Sequence, residues 1–178
     1  MAEAKEKEIS AKETSTKETS MVDHVVNVRR VTKVTKGGKR FSFSALVVSG
    51  NQAGEIGIAL GKGRELSQAI TKATNRARKD MIKVPLRDST IPYDVVGRHG
   101  ASKVVMRAAS KGTGIIAGGA VRSVMAAAGI RDVLAKSIGS SNRQNVVKAT
   151  LNALAQLRSA THLAKLRSKT VKELMGTK

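Results

Sequence analysis

Apolar positions repeat first at every second residue and later at every third or fourth, so strands are expected before a helix. Val26, Val28, Thr32 and Val34 alternate with Arg29 and Lys33. After Lys36-Gly37-Gly38-Lys39 the alternation resumes at Phe41, Phe43, Ala45 and Val47. Two such runs around a glycine pair predict a β-hairpin. A third run, Ile56, Ile58 and Leu60, follows a turn at residues 51–54 and stops at Gly61-Lys62-Gly63. The period then lengthens: Leu66, Ala69, Ile70, Ala73, Ala77 and Met81 form one stripe on a helix of roughly 18 residues. A three-stranded antiparallel sheet covered by one helix is expected, with Phe41 and Phe43 on a face that points into the core.

A second unit follows, with strands expected at residues 93–97 and 102–107. A glycine-rich stretch at 112–119 leads into a helix bearing Val121, Val124, Met125 and Ala128, with Gly129 as its stop. Residues 130–138 read as a further strand. Ser141 or Asn142 can cap a helix carrying Val147, Leu151 and Leu154. Leu163, Leu166, Val171 and Leu174 among Lys165, Arg167, Lys169 and Lys172 suggest a basic helical tail. At the other end, residues 1–20 hold a single Ile among Ala, Lys, Glu, Ser and Thr. That is too little apolar surface to offset the entropy of ordering them. The expected layout is a disordered tail at 1–20, a sheet-and-helix domain at 21–87, an α/β domain at 88–158 and a helical tail at 159–178, an α+β protein overall.

Charge turns this generic layout into a functional expectation. The chain has 33 Lys and Arg against 13 Asp and Glu over 178 residues, a formal net charge of +20. The first 20 residues hold four Lys and five Glu, so the whole excess lies in the body. Such a body repels itself unless polyanions neutralise it. Cysteine is absent, which excludes disulfides and thiolate metal sites. No apolar run approaches a membrane span and the start lacks a signal peptide's apolar segment, so a soluble, unexported protein is expected.

The candidate chemistry is that of phosphate contact. Lys33, Lys36, Lys39 and Arg40 surround Gly37 and Gly38 at the hairpin tip, where backbone N–H groups can approach phosphate closely. Gly61-Lys62-Gly63-Arg64 opens the first helix, where free N–H groups attract anions. That helix carries Lys72, Arg76, Arg78 and Lys79, with Lys83 just beyond. A solvated hairpin tip and an ordinary turn are the bland alternatives. Nucleotide-binding loops fail on spacing. The P-loop pattern requires Gly at position 56, which is Ile, and Ser or Thr at 63, which is Gly. The Gly112 run is one residue too long for the dinucleotide fingerprint and lacks its acidic partner, so close packing of a helix or partner protein explains its small residues better. His24, His99 and His162 are scattered, with no metal-ligand spacing. Arg98-His99 beside Asp94 is a thin acid/base candidate. Only Phe41, Phe43 and Tyr93 are aromatic. Folded RNA read through backbone and shape is therefore favoured over single strands stacked base by base. An RNA-processing or nucleotide-using enzyme and a general DNA-coating protein are the rival readings.

Longer motifs sharpen this. The chain contains Lys36-Gly37-Gly38-Lys39-Arg40-Phe41-Ser42-Phe43-Ser44-Ala45-Leu46-Val47-Val48, then Gly61-Lys62 with Glu65. Gly112-Thr113-Gly114-Ile115-Ile116-Ala117-Gly118-Gly119-Ala120-Val121-Arg122 follows, and then Leu134-Ala135-Lys136-Ser137-Ile138-Gly139-Ser140-Ser141-Asn142 with Asn145-Val146-Val147. Over about residues 22–157 the chain resembles the bacterial small-subunit ribosomal protein S5 family. The resemblance implies an N-terminal domain similar to the double-stranded-RNA-binding fold and a C-terminal βα domain with a left-handed crossover, an exception to the usual hand. It implies a structural constituent of the small ribosomal subunit in the cytoplasm, not an enzyme, without cofactor or metal, off the membrane and not a homo-oligomer. Its partners would be 16S rRNA, ribosomal proteins S4 and S8, and mRNA near the channel by which it enters, with roles in assembly, decoding accuracy and mRNA unwinding. RNA contact would fall to Lys33, Lys36, Gly37, Gly38, Lys39, Arg40, Lys62, Arg64, Lys72, Arg76, Arg78, Lys79, Lys83 and Asn142, the hairpin loop reaching RNA near the spectinomycin site. Gly112, Thr113, Gly114 and Arg122 would lie by S4, with the C-terminal region near S8. The sequence departs from the family pattern at Asn51 for Asp, Gly63 for Ala, Leu66-Ser67 for Val-Pro, Ala108 for Pro and Arg143 for Pro.

Overall fold

The computed structural model describes residues 21–171 and 173. The expected tail at 1–20 and the last residues of the expected C-terminal helical tail lie outside the described residues.

Strands β1 (Val22–Thr35), β2 (Gly38–Gly50), β3 (Glu55–Gly63) and β4 (Met81–Lys83) form an antiparallel sheet in that order. Helix α1 (Leu66–Lys79) covers one face. The sequence predicts three strands and a longer helix; Met81, expected on the helical stripe, instead lies opposite Gly57 in β4. The helix ends at Asp80, which leaves helical dihedrals while its N–H still bonds the Arg76 carbonyl at 3.2 Å. Residues 81–83 then satisfy backbone groups that the edge of β3 would otherwise leave unpaired. The helical stripe is lined by Ala69, Ala73 and Ala77, all fully buried. Glycine faces them: a Cβ on Gly57 or Gly61 would strike the backbone carbonyl of Ala77 or Ala69. Small residues on both sides bring helix and sheet into backbone contact.

The second half contains β5 (Val95–His99), β6 (Ser102–Ala108), β7 (Ile115–Ile116), α2 (Gly119–Ala128), β8 (Val133–Gly139), α3 (Arg143–Gln156) and α4 (Ala160–Leu166). The strand order is β5-β6-β8-β7, with β7 and β8 parallel and joined through α2. Asn142 caps α3 by accepting the Gln144 N–H at 3.2 Å. Tyr93 staples the end of α3, its hydroxyl donating to the Gln156 carbonyl at 3.3 Å and accepting from the Arg158 N–H at 2.9 Å.

The two halves share one apolar core. Ala45 and Val47 of β2 face α1, while Leu46 and Val48 face the other way and pack with Val121, Val124, Met125, Val104, Met106, Val147 and Leu154. The end of α2 lies directly on the first sheet, so close that a Cβ on Gly50 would strike the Ala127 carbonyl. The turn after β2 donates backbone bonds into that helix end, Gln52 N–H to Ala127 at 3.1 Å and Gly54 N–H to Ala128 at 3.0 Å. Helix ends leave such carbonyls orphaned. Gly129 terminates α2 in the left-handed region at φ 85°, and a Cβ there would strike the Gln52 carbonyl. Replacing Gly129 with Ala is expected to lower unfolding free energy by about 3 kcal/mol, combining left-handed strain with a backbone clash. Gly37→Ala, whose Cβ meets nothing within 4 Å, should stay within about 0.5 kcal/mol of the parent. Urea denaturation of the two variants tests the contrast.

Candidate nucleic-acid interface

Pairing between β2 and β3 begins at Phe43, opposite Gly63, and β1 meets Phe43 at Arg30. Residues 31–42 therefore leave the sheet as a two-stranded arm, reaching roughly 15 Å past β3. The arm and its base at residues 28–42 carry Arg29, Arg30, Lys33, Lys36, Lys39 and Arg40 without a single acidic residue. Thr35 closes the tip through its hydroxyl, which donates to the Gly38 carbonyl at 3.1 Å. Lys33 pairs in register with Arg40, and like charges in direct opposition destabilise a strand pair. The free arm thus carries a charge repulsion that works against its own stability.

Phe41 corrects one expectation. The residue is 45% exposed rather than in the core, because β3 and α1 stop short of it and leave nothing to cover its ring. Phe43, one pleat further in, packs against the cluster of Ala45, Val47, Ala69 and Ala73 as expected. The Arg30 guanidinium lies 4.2 Å from the Phe41 ring centroid, close enough for cation–π attraction.

A shallow groove at the root of the arm is lined by Lys33, Arg40, Phe41 and Arg64, with Val31, Thr32 and Ser42. Two separate sequence motifs, the hairpin and the Gly61–Arg64 stretch, whose first three residues end β3 instead of forming the expected turn, thereby contribute cations to one surface. Lys62 is also exposed. At the helix start Glu65 occupies the N-cap without capping a backbone N–H, its carboxylate accepting from the Gln68 side chain at 3.1 Å and bringing a negative charge to a place expected to attract anions. Along α1, Lys72 and Lys79 are exposed, while Arg76 lies 3.9 Å from Asp80. Arg78 is already engaged, its guanidinium donating to Asp23 on β1 at 2.6 Å. Burial works to raise the Asp23 pKa, but the Arg78 guanidinium outweighs it and holds the carboxyl below its usual value. Arg78 thus pins α1 to the edge of the sheet. Lys83 sits opposite Glu55 on β4, and the side chain of Asn142 is occupied as a helix cap.

The glycine-rich stretch is organised by a residue that the sequence reading passed over. Asp132 is buried, and one oxygen accepts the N–H groups of Gly112 and Gly114 at 3.0 and 2.9 Å. The other takes the Ser89 hydroxyl at 2.5 Å. Gly112 and Gly114 both have positive φ, so within this chain these two serve a turn wrapped on a carboxylate and not the close packing of a helix. The lone acid in the expected strand at 130–138 was the available signal. Thr113 donates to the Ser110 carbonyl at 2.7 Å and Arg122 to the Ile115 carbonyl at 3.1 Å. Gly118 and Gly119 face open space. Among the described residues no cluster of His, Cys, Asp or Glu could hold a metal, and no helix is long and apolar enough to cross a membrane.

Comparison with known proteins matches the family model "Ribosomal protein S5, N-terminal domain" to residues 21–85 and "Ribosomal protein S5, C-terminal domain" to residues 97–167. The chain is 53% identical over 148 residues to small ribosomal subunit protein uS5 of Lawsonia intracellularis, covering 83% of this chain and 91% of the relative. Against the protein of the same name from Syntrophobacter fumaroxidans it is 53% identical over 154 residues, 86% of this chain and 93% of the relative. The corresponding Salinibacter ruber protein is 54% identical over 146 residues, 82% of this chain and 83% of the relative.

The Asp132 carboxyl is held below the usual range by the Ser89 hydroxyl, then the Gly114 and Gly112 N–H groups and the Arg131 charge. A carboxyl depressed by folding stabilises fully above its unfolded pKa of about 3.9, and the contribution disappears as pH falls through the lower folded value. Asp132→Asn should therefore be less stable than the parent at pH 7, and its loss of stability between pH 4 and lower values should be shallower. Denaturant unfolding across that range checks both signs.

Proposed function

The chain belongs to the ribosomal protein S5 family, and from that premise we propose that it is a structural component of the small ribosomal subunit in the cytoplasm, holding 16S rRNA rather than catalysing a reaction. The observation that carries the reading is the projecting arm, whose cations, with no acid among them, meet Arg64 across the groove at its root. Neutralised phosphates would release condensed counterions there. Lys62, Lys72 and Lys79 extend the same chemistry beyond the arm, whereas Arg78 and Asn142 would contribute chiefly by holding the elements in place.

Gly112, Thr113, Gly114 and Arg122 would face protein S4. In support, Asp132 orders the turn from inside, and nothing in the chain lies within 4 Å of where a Cβ on Gly112 or Gly114 would stand. The C-terminal region would approach S8. A position near the channel by which mRNA enters, with effects on assembly, decoding accuracy and mRNA unwinding, follows from the family resemblance; the exposed cations of both halves suit such a place among RNA strands.

Sedimentation of a lysate through sucrose gradients tests the reading. Co-migration with the small subunit in moderate salt is expected, and free protein at the top in low salt would overturn it. With purified protein and 16S rRNA, replacing Lys33, Lys36, Lys39 and Arg40 by Ala should reduce the slope of log affinity against log salt by about 3, at roughly 0.7–0.9 per lost phosphate contact. Filter binding over a salt series measures that slope.

A further inference from the structure

We propose that the Arg30–Phe41 stack is a landing site for one unpaired RNA base, so that the arm reads a splayed-out nucleotide as well as a phosphate backbone. The proposal deepens the RNA-binding reading above and rests on it. Three observations carry it. Phe41 remains 45% exposed with the Arg30 guanidinium already 4.2 Å from its centroid, presenting an aromatic and guanidinium surface of the kind that unpaired bases stack on. Phe41 also borders the groove lined by Lys33, Arg40 and Arg64. Strand alternation puts Arg30 and Lys39 on the face of the ring and the Lys33–Arg40 pair on the opposite face of the same narrow ribbon, so a base on the ring would have cations within reach of its flanking phosphates. Finally, the ring sits on an arm that leaves the sheet, and a two-stranded ribbon alone is marginal in water. Its apolar positions at Val31, Val34 and Phe41 are all exposed within this chain.

The occupant follows from charge. With six cations and no acidic group at residues 28–42, the surface around the ring favours a polyanion over an apolar or basic protein segment. A paired helix hides its base faces, so only an unpaired base can lie flat on the ring. The sequence alone hides this site, because alternation puts Phe41 in line with Phe43 and suggests that both are covered.

The test compares the full chain with Phe41→Leu, Phe41→Trp and Arg30→Met in binding to a 16S rRNA transcript and to a fully paired RNA hairpin. Phe41→Leu is expected to lose about tenfold in affinity for the transcript, within the range of base stacking, at an unchanged salt slope, while binding to the paired hairpin stays level. Phe41→Trp should restore transcript binding, and Arg30→Met should lose part of it at a slope reduced by no more than one contact. Melting curves of each variant separate loss of the ring from loss of the fold. Equal binding of the parent and Phe41→Leu to the transcript overturns the proposal while leaving phosphate binding intact. So does an equal loss on both RNAs. Normal transcript binding with failed incorporation into subunits would place a protein, not a base, against the ring and also overturn it. Failure of the parent to bind the transcript at all would remove the broader RNA reading, and this one with it.

Discussion

Two backbone hydrogen bonds, from Gln52 and Gly54 to the carbonyls of Ala127 and Ala128, join the halves of the molecule. They satisfy acceptors that a helix end leaves open, and they exist only because Gly50 and Gly129 have no side chain to hold the surfaces apart. The consequence spreads through the fold. Leu46 and Val48 can be buried by α2 while Ala45 and Val47 are buried by α1, which makes β2 a strand enclosed on both faces. One apolar core then serves both halves, and the orientation of the arm relative to the glycine-rich turn is set by packing rather than by a linker.

Burial at the centre allows exposure at the periphery. Residues 43–50 supply the anchorage that lets residues 31–42 project with like charges opposed across the strands. Those charges work against the free protein, a repulsion that the phosphates proposed to bind there would relieve. The glycine-rich turn follows the same economy at a smaller scale. Asp132, one of few acids in a basic body, lies inside and orders two backbone N–H groups of the turn.

Two departures from the family pattern acquire a physical sense at the seam. Asn51 accepts the N–H groups of Ala53 and Glu55 through its carbonyl and donates to the Glu55 carboxylate at 2.8 Å through its amide. Asp could make the first two contacts but would repel the third. Arg143 reaches from the start of α3 to the bulge in β1, donating to the Asn27 side chain at 3.1 Å and the Val26 carbonyl at 3.4 Å. A proline there could offer no such tie. The structure supplies no comparable reason for Leu66-Ser67 or Ala108.

Much of the fold was legible in local pattern. Alternation located the hairpin and β3, the longer period located α1, and Gly129 and Asn142 marked helix ends because their backbone preferences act within a few residues. Charge and the absence of ligand spacing pointed to a polyanion binder for a similar reason: both are sums over residues and need no coordinates. The sequence could not show that Phe41 stands outside the core, that Met81 leaves the helix for a fourth strand, that Arg78 is spent on Asp23, or that Asp132 organises the glycine turn. Each of these depends on where a neighbour distant in sequence ends or arrives. Periodicity assigns a residue to a face, but only tertiary packing decides whether another surface is there to cover it.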